Sequence, residues 1–198
     1  MMKWVLYIFR ISVLKISKMS GRLTKEHKKQ LEIWIGKGKR NFELIFSLTK
    51  DGGTAQAFHD KCNNQGPTVT VVYNDHNSIY GGYASQSWNR TNAHITDAEA
   101  FLYQLEYSRD VKRNKFPVKN AQKALYCHTN YGPVFGSNSA PDMWTYNTAV
   151  FENGIFKICG DMIGFETNYD SIGVKAADVN NGSSRVVDIE VYRVTGTN

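Results

Sequence analysis

A sequence of 198 residues is long enough for one domain, or for one domain with a tail, and for a sizeable core. Its hydrophobic and charged fractions, 41% and 21%, are typical of a globular protein. The net charge of +6 does not indicate nucleic-acid binding, because four of the basic residues lie within residues 1–18, which contain no acidic residue. The other basic residues are scattered, whereas a phosphate-binding surface needs a concentrated patch, so we expect no nucleic-acid partner.

The cysteines indicate a reducing compartment. Cys62, Cys127 and Cys159 are odd in number, and no Cys-x-x-Cys is present, so a disulfide framework is not expected. We therefore expect a cytoplasmic protein.

The first residues are apolar and basic. The runs WVLYIF and ISVL are separated by Arg10 and are far shorter than the roughly 20 residues of a membrane-spanning helix, so no stable membrane span is expected. We interpret residues 1–18 as a disordered extension or a mispredicted start, and residues 19–198 as a single domain that begins just before a helix.

The first predicted elements are two helices with a strand between them. Thr24 can cap a helix over about 24–36, in which Leu31, Trp34 and Ile35 share the face that docks on the core. The segment FELIFSL (42–48) alternates as a half-buried strand, with Phe42, Leu44, Phe46 and Leu48 expected on one side. Thr54 then caps the short helix AQAFHDKC.

The rest of the chain is predicted to be rich in strands. TVTVVY and SIYGGYA form a hairpin about the polar turn 74–77, and the glycines of the second strand predict a bulge or a close backbone approach. Further strands are predicted in AFLYQLEY, ALYCH, MWTY, GIFKICG and VVDIEVYRV (186–194). Short strands separated by turns indicate an α+β, β-rich fold of antiparallel layers with a few helices.

His59 and Cys62 are the residues that most suggest chemistry. At i and i+3 on a helix they share a face, and an imidazole can activate a thiol as a nucleophile. Phe58 and Cys62, at i and i+4, instead favour a Cys62 packed inward with His59 near the rim. We expect no catalytic residue and keep Cys62, with His59, as a redox candidate.

Other catalytic and ligand-binding patterns are missing from the sequence. It contains neither a Gly-x-Ser-x-Gly elbow nor a P-loop, and the IYGGYA glycines lie inside a strand, so no nucleotide is expected. Cys127 and His128 point to opposite faces of a strand, so we expect no metal and no cofactor. In the loop 130–136, Tyr131 could face a partner, but a structural role with Phe135 in the core is favoured.

Several of these motifs occur together in a known order. FELIFSL, DGG, FHDKC, GPTVTVV, IYGGYASQSW, FLYQL, YGPVFG and DIEVYRV resemble the TLDc domain family, whose motifs they match over most of the chain. The segments LTKEHKKQLEIWIG and CNNQGPTVTVVY are most similar to the interferon-induced protein 44 branch, in which a GTPase-like domain follows.

The resemblance implies a two-layer antiparallel β-sandwich with short flanking helices. It also implies a non-catalytic protein-interaction module, a regulator in the oxidative-stress or innate-immune response, with the vacuolar proton ATPase as the expected partner. Two alternatives stay open: a redox-active antioxidant protein that uses Cys62, and the N-terminal part of a larger GTPase-linked protein.

The partner-binding candidates come from the loop at Tyr131 and from the last strand. The alternation of that strand places Asp188, Glu190 and Tyr192 on a polar face, and we expect them, with Arg193, to be exposed. The segment 137–141 departs from the family, whose members often carry a glycine- and acid-rich loop there.

Overall fold

Two antiparallel sheets pack face to face in the computed structural model, which describes residues 21–157 and 160–197. The interpretation of residues 1–18 lies outside the described residues. The strands are β1 (Arg40–Ser47), β2 (Thr68–Asn74), β3 (Ile79–Ala84), β4 (Ala93–Ile95), β5 (Phe101–Tyr107), β6 (Asp110–Pro117), β7 (Leu125–Cys127), β8 (Val134–Gly136), β9 (Pro141–Trp144), β10 (Val150–Glu152), β11 (Ile155–Lys157) and β12 (Val186–Gly196). The helices are α1 (Lys25–Ile35), α2 (Leu48–Asp51), α3 (Ala55–Cys62) and α4 (Ala176–Asn180).

The larger sheet has the order β10-β11-β12-β2-β3-β5-β6, with β1 also paired to β12. The smaller sheet has the order β4-β7-β8-β9. Together the sheets confirm the predicted β-rich class, and strand β12 is the hub of the larger sheet because it pairs with β1, β2 and β11.

The larger sheet is buried on both faces. One face packs against the smaller sheet, through residues such as Phe46, Val72 and Leu102. The other face packs beneath α1, where the Trp34 ring lies edge-on to Phe101, with 6.4 Å between ring centroids. This double burial explains why every residue of β2 is buried.

The two predicted helices form for the predicted reasons. Thr24 precedes α1 and its hydroxyl accepts a hydrogen bond from the His27 amide at 3.1 Å. Thr54 caps α3 in the same way, through the Ala57 amide. Leu31 is fully buried, so the prediction that the first helix docks on the core is confirmed.

Strand β1 corrects one prediction. A bulge between Leu44 and Phe46 shifts the pairing with β12, so Phe42 and Leu44 lie beneath α1 whereas Phe46 packs between the sheets. The expectation that these side chains share one side with Leu48 is therefore wrong, and Leu48 itself begins α2. The bulge lets a single strand contribute to both cores.

The glycines of β3 allow two close approaches, as predicted. A Cβ at Gly81 would lie 2.0 Å from the Thr70 carbonyl oxygen, which accepts a hydrogen bond from the Tyr103 hydroxyl. A Cβ at Gly82 would lie 2.5 Å from the ring of Phe135, which projects from the smaller sheet. The missing side chain at Gly82 thus makes room for the aromatic ring that joins the two sheets.

Replacing Gly82 with alanine is expected to lower the free energy of unfolding by about 1–3 kcal/mol, because the new methyl group overlaps the Phe135 ring. Urea denaturation of the purified protein measures the change. Gly196→Ala is the matched control, because its Cβ would lie 3.5 Å from Arg40 Nη1, an ordinary contact. Equal stability of the two variants would contradict this account of the sheet contact.

Candidate functional site

The outer side of the smaller sheet carries a cavity of about 310 Å³. We call it the aromatic cleft, and it is lined by Tyr126, Tyr131, Val134, Asn138, Pro141, Trp144 and Asn147. Alternation along the strands creates it: Leu125, Cys127, Phe135 and Met143 point into the core, so Tyr126, Val134 and Trp144 point the other way.

Tyr126, Tyr131 and Trp144 form the aromatic wall of the cleft, and two histidine rings pack against the tyrosines. His94 of β4 contacts Tyr126, with ring centroids 5.0 Å apart. His128 stacks on Tyr131 at 4.5 Å, and Tyr131 meets Trp144 edge-on at 6.2 Å. Such contacts hold the rings in defined orientations, each worth about 0.5–1.5 kcal/mol beyond its buried area.

The loop 137–141 forms the rim and is held by one hydrogen bond within the loop and one to strand β4. The Ser137 hydroxyl donates to the Ala140 carbonyl oxygen at 3.1 Å. The Asn138 amide donates to Nε2 of His94 at 3.3 Å, which requires a neutral Nε2. Partial burial, with Lys123 as a second cause, lowers the pKa of His94 and favours that neutral ring.

A buried carboxylate, Asp142, follows the loop 137–141 directly in sequence. Asp142 is fully buried and accepts hydrogen bonds from the Asn168 amide, the Asn168 side chain and the Tyr169 amide. Burial raises the pKa of Asp142, and the hydrogen bonds from Asn168 oppose that rise. Gly136 has φ of 98°, and a Cβ there would lie 2.4 Å from the Asp142 carboxylate, so only glycine fits.

Aromatic faces and the side-chain amides of Asn138 and Asn147 line the cleft. Among the residues that the structure describes, no carboxylate and no thiol lines it. Within residues 21–157 and 160–197, no cluster of three or more His, Cys, Asp or Glu side chains could hold a metal ion. Apolar walls with a few amides suit an apolar or aromatic side chain of a partner.

A family model described as TLDc domain matches residues 16–195. The chain belongs to the TLDc family. The order of its strand motifs had indicated this family, and the two-sheet architecture agrees with the expected fold.

A relative of this TLDc domain is the human protein named interferon-induced protein 44. The two are 40% identical over 67 residues, which is 34% of this chain and 14% of the human protein. The matched segment is thus a small part of that protein.

The TLDc domain places Tyr131, a predicted partner-binding residue, in the cleft with its ring partly exposed. Its neighbour Phe135 is fully buried, as predicted. Sequence reasoning missed Tyr126 and Trp144. Because Tyr126 alternates with the buried Leu125 and Cys127, the sequence pattern could have identified Tyr126 as facing away from the core. Trp144 could not be identified in this way, because its approach to the cleft depends on the pairing of β8 with β9.

The predicted exposure of the last strand is wrong for three residues. Asp188, Glu190 and Tyr192 are 4%, 1% and 1% exposed, so they cannot present a partner-binding face as they stand. The predicted polar face lies beneath α1 or against α2, because the larger sheet is covered on both sides. Only Arg193 is partly exposed, and its guanidinium pairs with Glu43.

The two buried carboxylates have structural partners instead. Glu190 accepts hydrogen bonds from the Arg22 amide and from the hydroxyls of Tyr73 and Tyr192. Asp188 accepts from the Ser47 hydroxyl and from the amide and hydroxyl of Thr49, at the start of α2. Glu190 therefore ties the beginning of the described chain to β12.

The redox candidate lies in the core. Cys62 is fully buried, and burial raises the pKa of its thiol well above the ordinary value, with Asp51 as a second cause. His59 is also buried, so its expected place near the rim is wrong, and its ring nitrogens contact Asn63 Oδ1 and the His128 carbonyl oxygen, both at 2.8 Å. A buried thiol with a raised pKa has little of the exposed thiolate character that redox sensing needs.

Replacing Tyr192 with phenylalanine is expected to lower the free energy of unfolding by about 1–3 kcal/mol, because it removes a hydrogen bond to Glu190 and leaves the buried Leu23 amide unpaired. Chemical denaturation measures the loss. Tyr107→Phe is the control, since that ring is half-exposed on β5. If Tyr192→Phe leaves the free energy of unfolding unchanged, the hydrogen bonds around Glu190 do not stabilise the fold.

Cys62 is expected to react with iodoacetamide more than about tenfold more slowly than a free thiol, because burial and the raised pKa suppress the thiolate. Peptide-resolved mass spectrometry follows Cys62 by itself, and the same reaction in urea is the control. A native rate equal to that of the denatured chain would restore the redox interpretation.

Proposed function

We propose that this TLDc domain is a non-catalytic protein-interaction module and that the aromatic cleft is its docking site. The observation that carries the proposal is the partly exposed row of Tyr131, His128 and Trp144 beside a cavity of about 310 Å³. Aromatic residues around a preformed cavity are the features that dominate binding energy at protein interfaces.

The cleft suits an apolar or aromatic anchor residue on the partner. Such an anchor would be desolvated by Val134 and Trp144, while Asn138 and Asn147 would meet the polar backbone beside it. The hydrogen bonds that hold the rim and the adjoining Asp142 reduce the conformational entropy that binding must overcome. Binding of the partner at the cleft therefore needs little rearrangement of the free domain.

For the partner we propose the vacuolar proton ATPase, with a role in the oxidative-stress or innate-immune response. Membership of the TLDc family supports the choice of the vacuolar proton ATPase, and similarity to interferon-induced protein 44 supports an innate-immune setting. The proposal assumes a cytoplasmic chain. Cys62 and Cys127 are free thiols, as such a compartment favours. No helix within the described residues is long and apolar enough to cross a membrane.

The test is co-elution of the full chain with the peripheral sector of a vacuolar proton ATPase, with the rate of ATP hydrolysis recorded. We expect co-elution and an altered rate. The double variant Tyr131→Ala, Trp144→Ala should weaken binding by about 2 kcal/mol or more, because it removes two aromatic walls of the cleft.

Ile33→Ala is the matched control, because Ile33 is 64% exposed on α1 and lies outside the cleft. Circular dichroism confirms that each variant is folded. Binding that survives the double variant would exclude the cleft as the docking site, and no co-elution of the folded wild type would exclude this partner.

A further inference from the structure

A second cavity, of about 180 Å³, lies where three segments of the chain meet. Arg22 comes from the start of the described chain, Asn77 and Ser78 from the turn between β2 and β3, and Arg109 from the turn between β5 and β6. It shares no lining residue with the aromatic cleft.

The cavity has an excess of positive charge. The Arg22 guanidinium lies 4.3 Å from the centroid of the Tyr73 ring, and both arginines are exposed. Among the described residues, neither guanidinium forms an ion pair with a carboxylate. Glu106 also lines the cavity, but its carboxylate contacts Nε2 of His27 at 2.9 Å.

The turn that carries Arg109 adopts an unfavourable backbone conformation. Ser108 and Arg109 have φ of 51° and 73° in a two-residue hairpin loop, where Asn-Gly is the favoured pair. An arginine in the left-handed region is strained relative to glycine. The turn thus carries a cation at the cavity, although a glycine at the position of Arg109 would form the turn more easily.

Hydrogen bonds join the two turns around the cavity. The Arg109 amide donates to the Asn77 carbonyl oxygen at 2.9 Å, and the Ser108 amide donates to the Ser78 hydroxyl at 3.3 Å. Because that hydroxyl oxygen accepts a hydrogen bond, its own hydrogen is left for another acceptor. The cavity thus combines two guanidinium groups with a hydroxyl and an amide side chain.

We propose that this cavity binds the phosphate group of a small phosphate or phosphate monoester. Guanidinium groups donate pairs of charge-assisted hydrogen bonds that match phosphate oxygens. Three segments of the chain contribute donor groups to the lining, and a phosphate group has more acceptor oxygens for them than a carboxylate has. The inference is independent of docking at the aromatic cleft.

The test is a ¹H–¹⁵N NMR titration of the full chain with inorganic phosphate at constant ionic strength. We expect saturable shifts of the Asn77, Ser78 and Arg109 amides with phosphate, and no saturable shifts with acetate or chloride. Phenyl phosphate should produce the same pattern as phosphate, because the phosphate group is the part recognised.

Arg22→Gln and Arg109→Gly are each expected to weaken phosphate binding about tenfold, because each removes one charged donor pair. Arg109→Gly should not lower the melting temperature, since glycine relieves the positive φ of the turn. Lost binding in that variant is therefore not a folding defect.

Arg90→Gln is the matched control, because Arg90 pairs with Asp60 on the surface and does not line the cavity. It should leave phosphate binding unchanged. Equal losses of phosphate affinity in all three variants would attribute the binding to net charge and overturn the proposal. The absence of saturable amide shifts with phosphate would also overturn it. Acetate that binds as tightly as phosphate would overturn the choice of ligand.

Discussion

The ring of Phe135 lies against the bare backbone of Gly82 and joins the smaller sheet to the larger one. Phe135 fills the space between the two sheets, where it also meets Trp88 edge-on at 5.4 Å. Once that ring faces inward, the alternation of β8 turns Val134 outward, towards the aromatic cleft. The alternation of β8 therefore determines both the core contact of Phe135 and the position of Val134 at the outer surface of the smaller sheet.

Three buried carboxylates accept hydrogen bonds from backbone amides that lie outside the strand pairing. Asp142 joins the rim of the cleft to Asn168, and Asp188 anchors the start of α2. Glu190 connects β12 to Arg22, which is 168 positions away in sequence. Each carboxylate has several donors, so its burial is compensated. Buried hydrogen bonds thus hold the backbone on which the aromatic cleft and the cavity lined by Arg22 and Arg109 lie.

Local signals predicted much of the fold. Capping threonines defined α1 and α3, and the turn 74–77 defined the β2–β3 hairpin. Strand β6 escaped prediction because Lys112, Arg113 and Lys115 make it resemble a solvated loop, although charges are common on edge strands. The burial of Glu190 and the approach of Trp144 to Tyr131 depend on partners distant in sequence, so alternation by itself could not reveal them.

The central position of β12 also affects how the protein is made. Residues 186–196 provide the pairing edges for β1, β2 and β11, and β1 pairs with no other strand in the described chain. During synthesis, β1 emerges from the ribosome some 140 residues before its partner. Strand β1 and one edge of β2 must therefore wait for their sheet neighbour, and chaperones that shield nascent strands have a long interval in which to act.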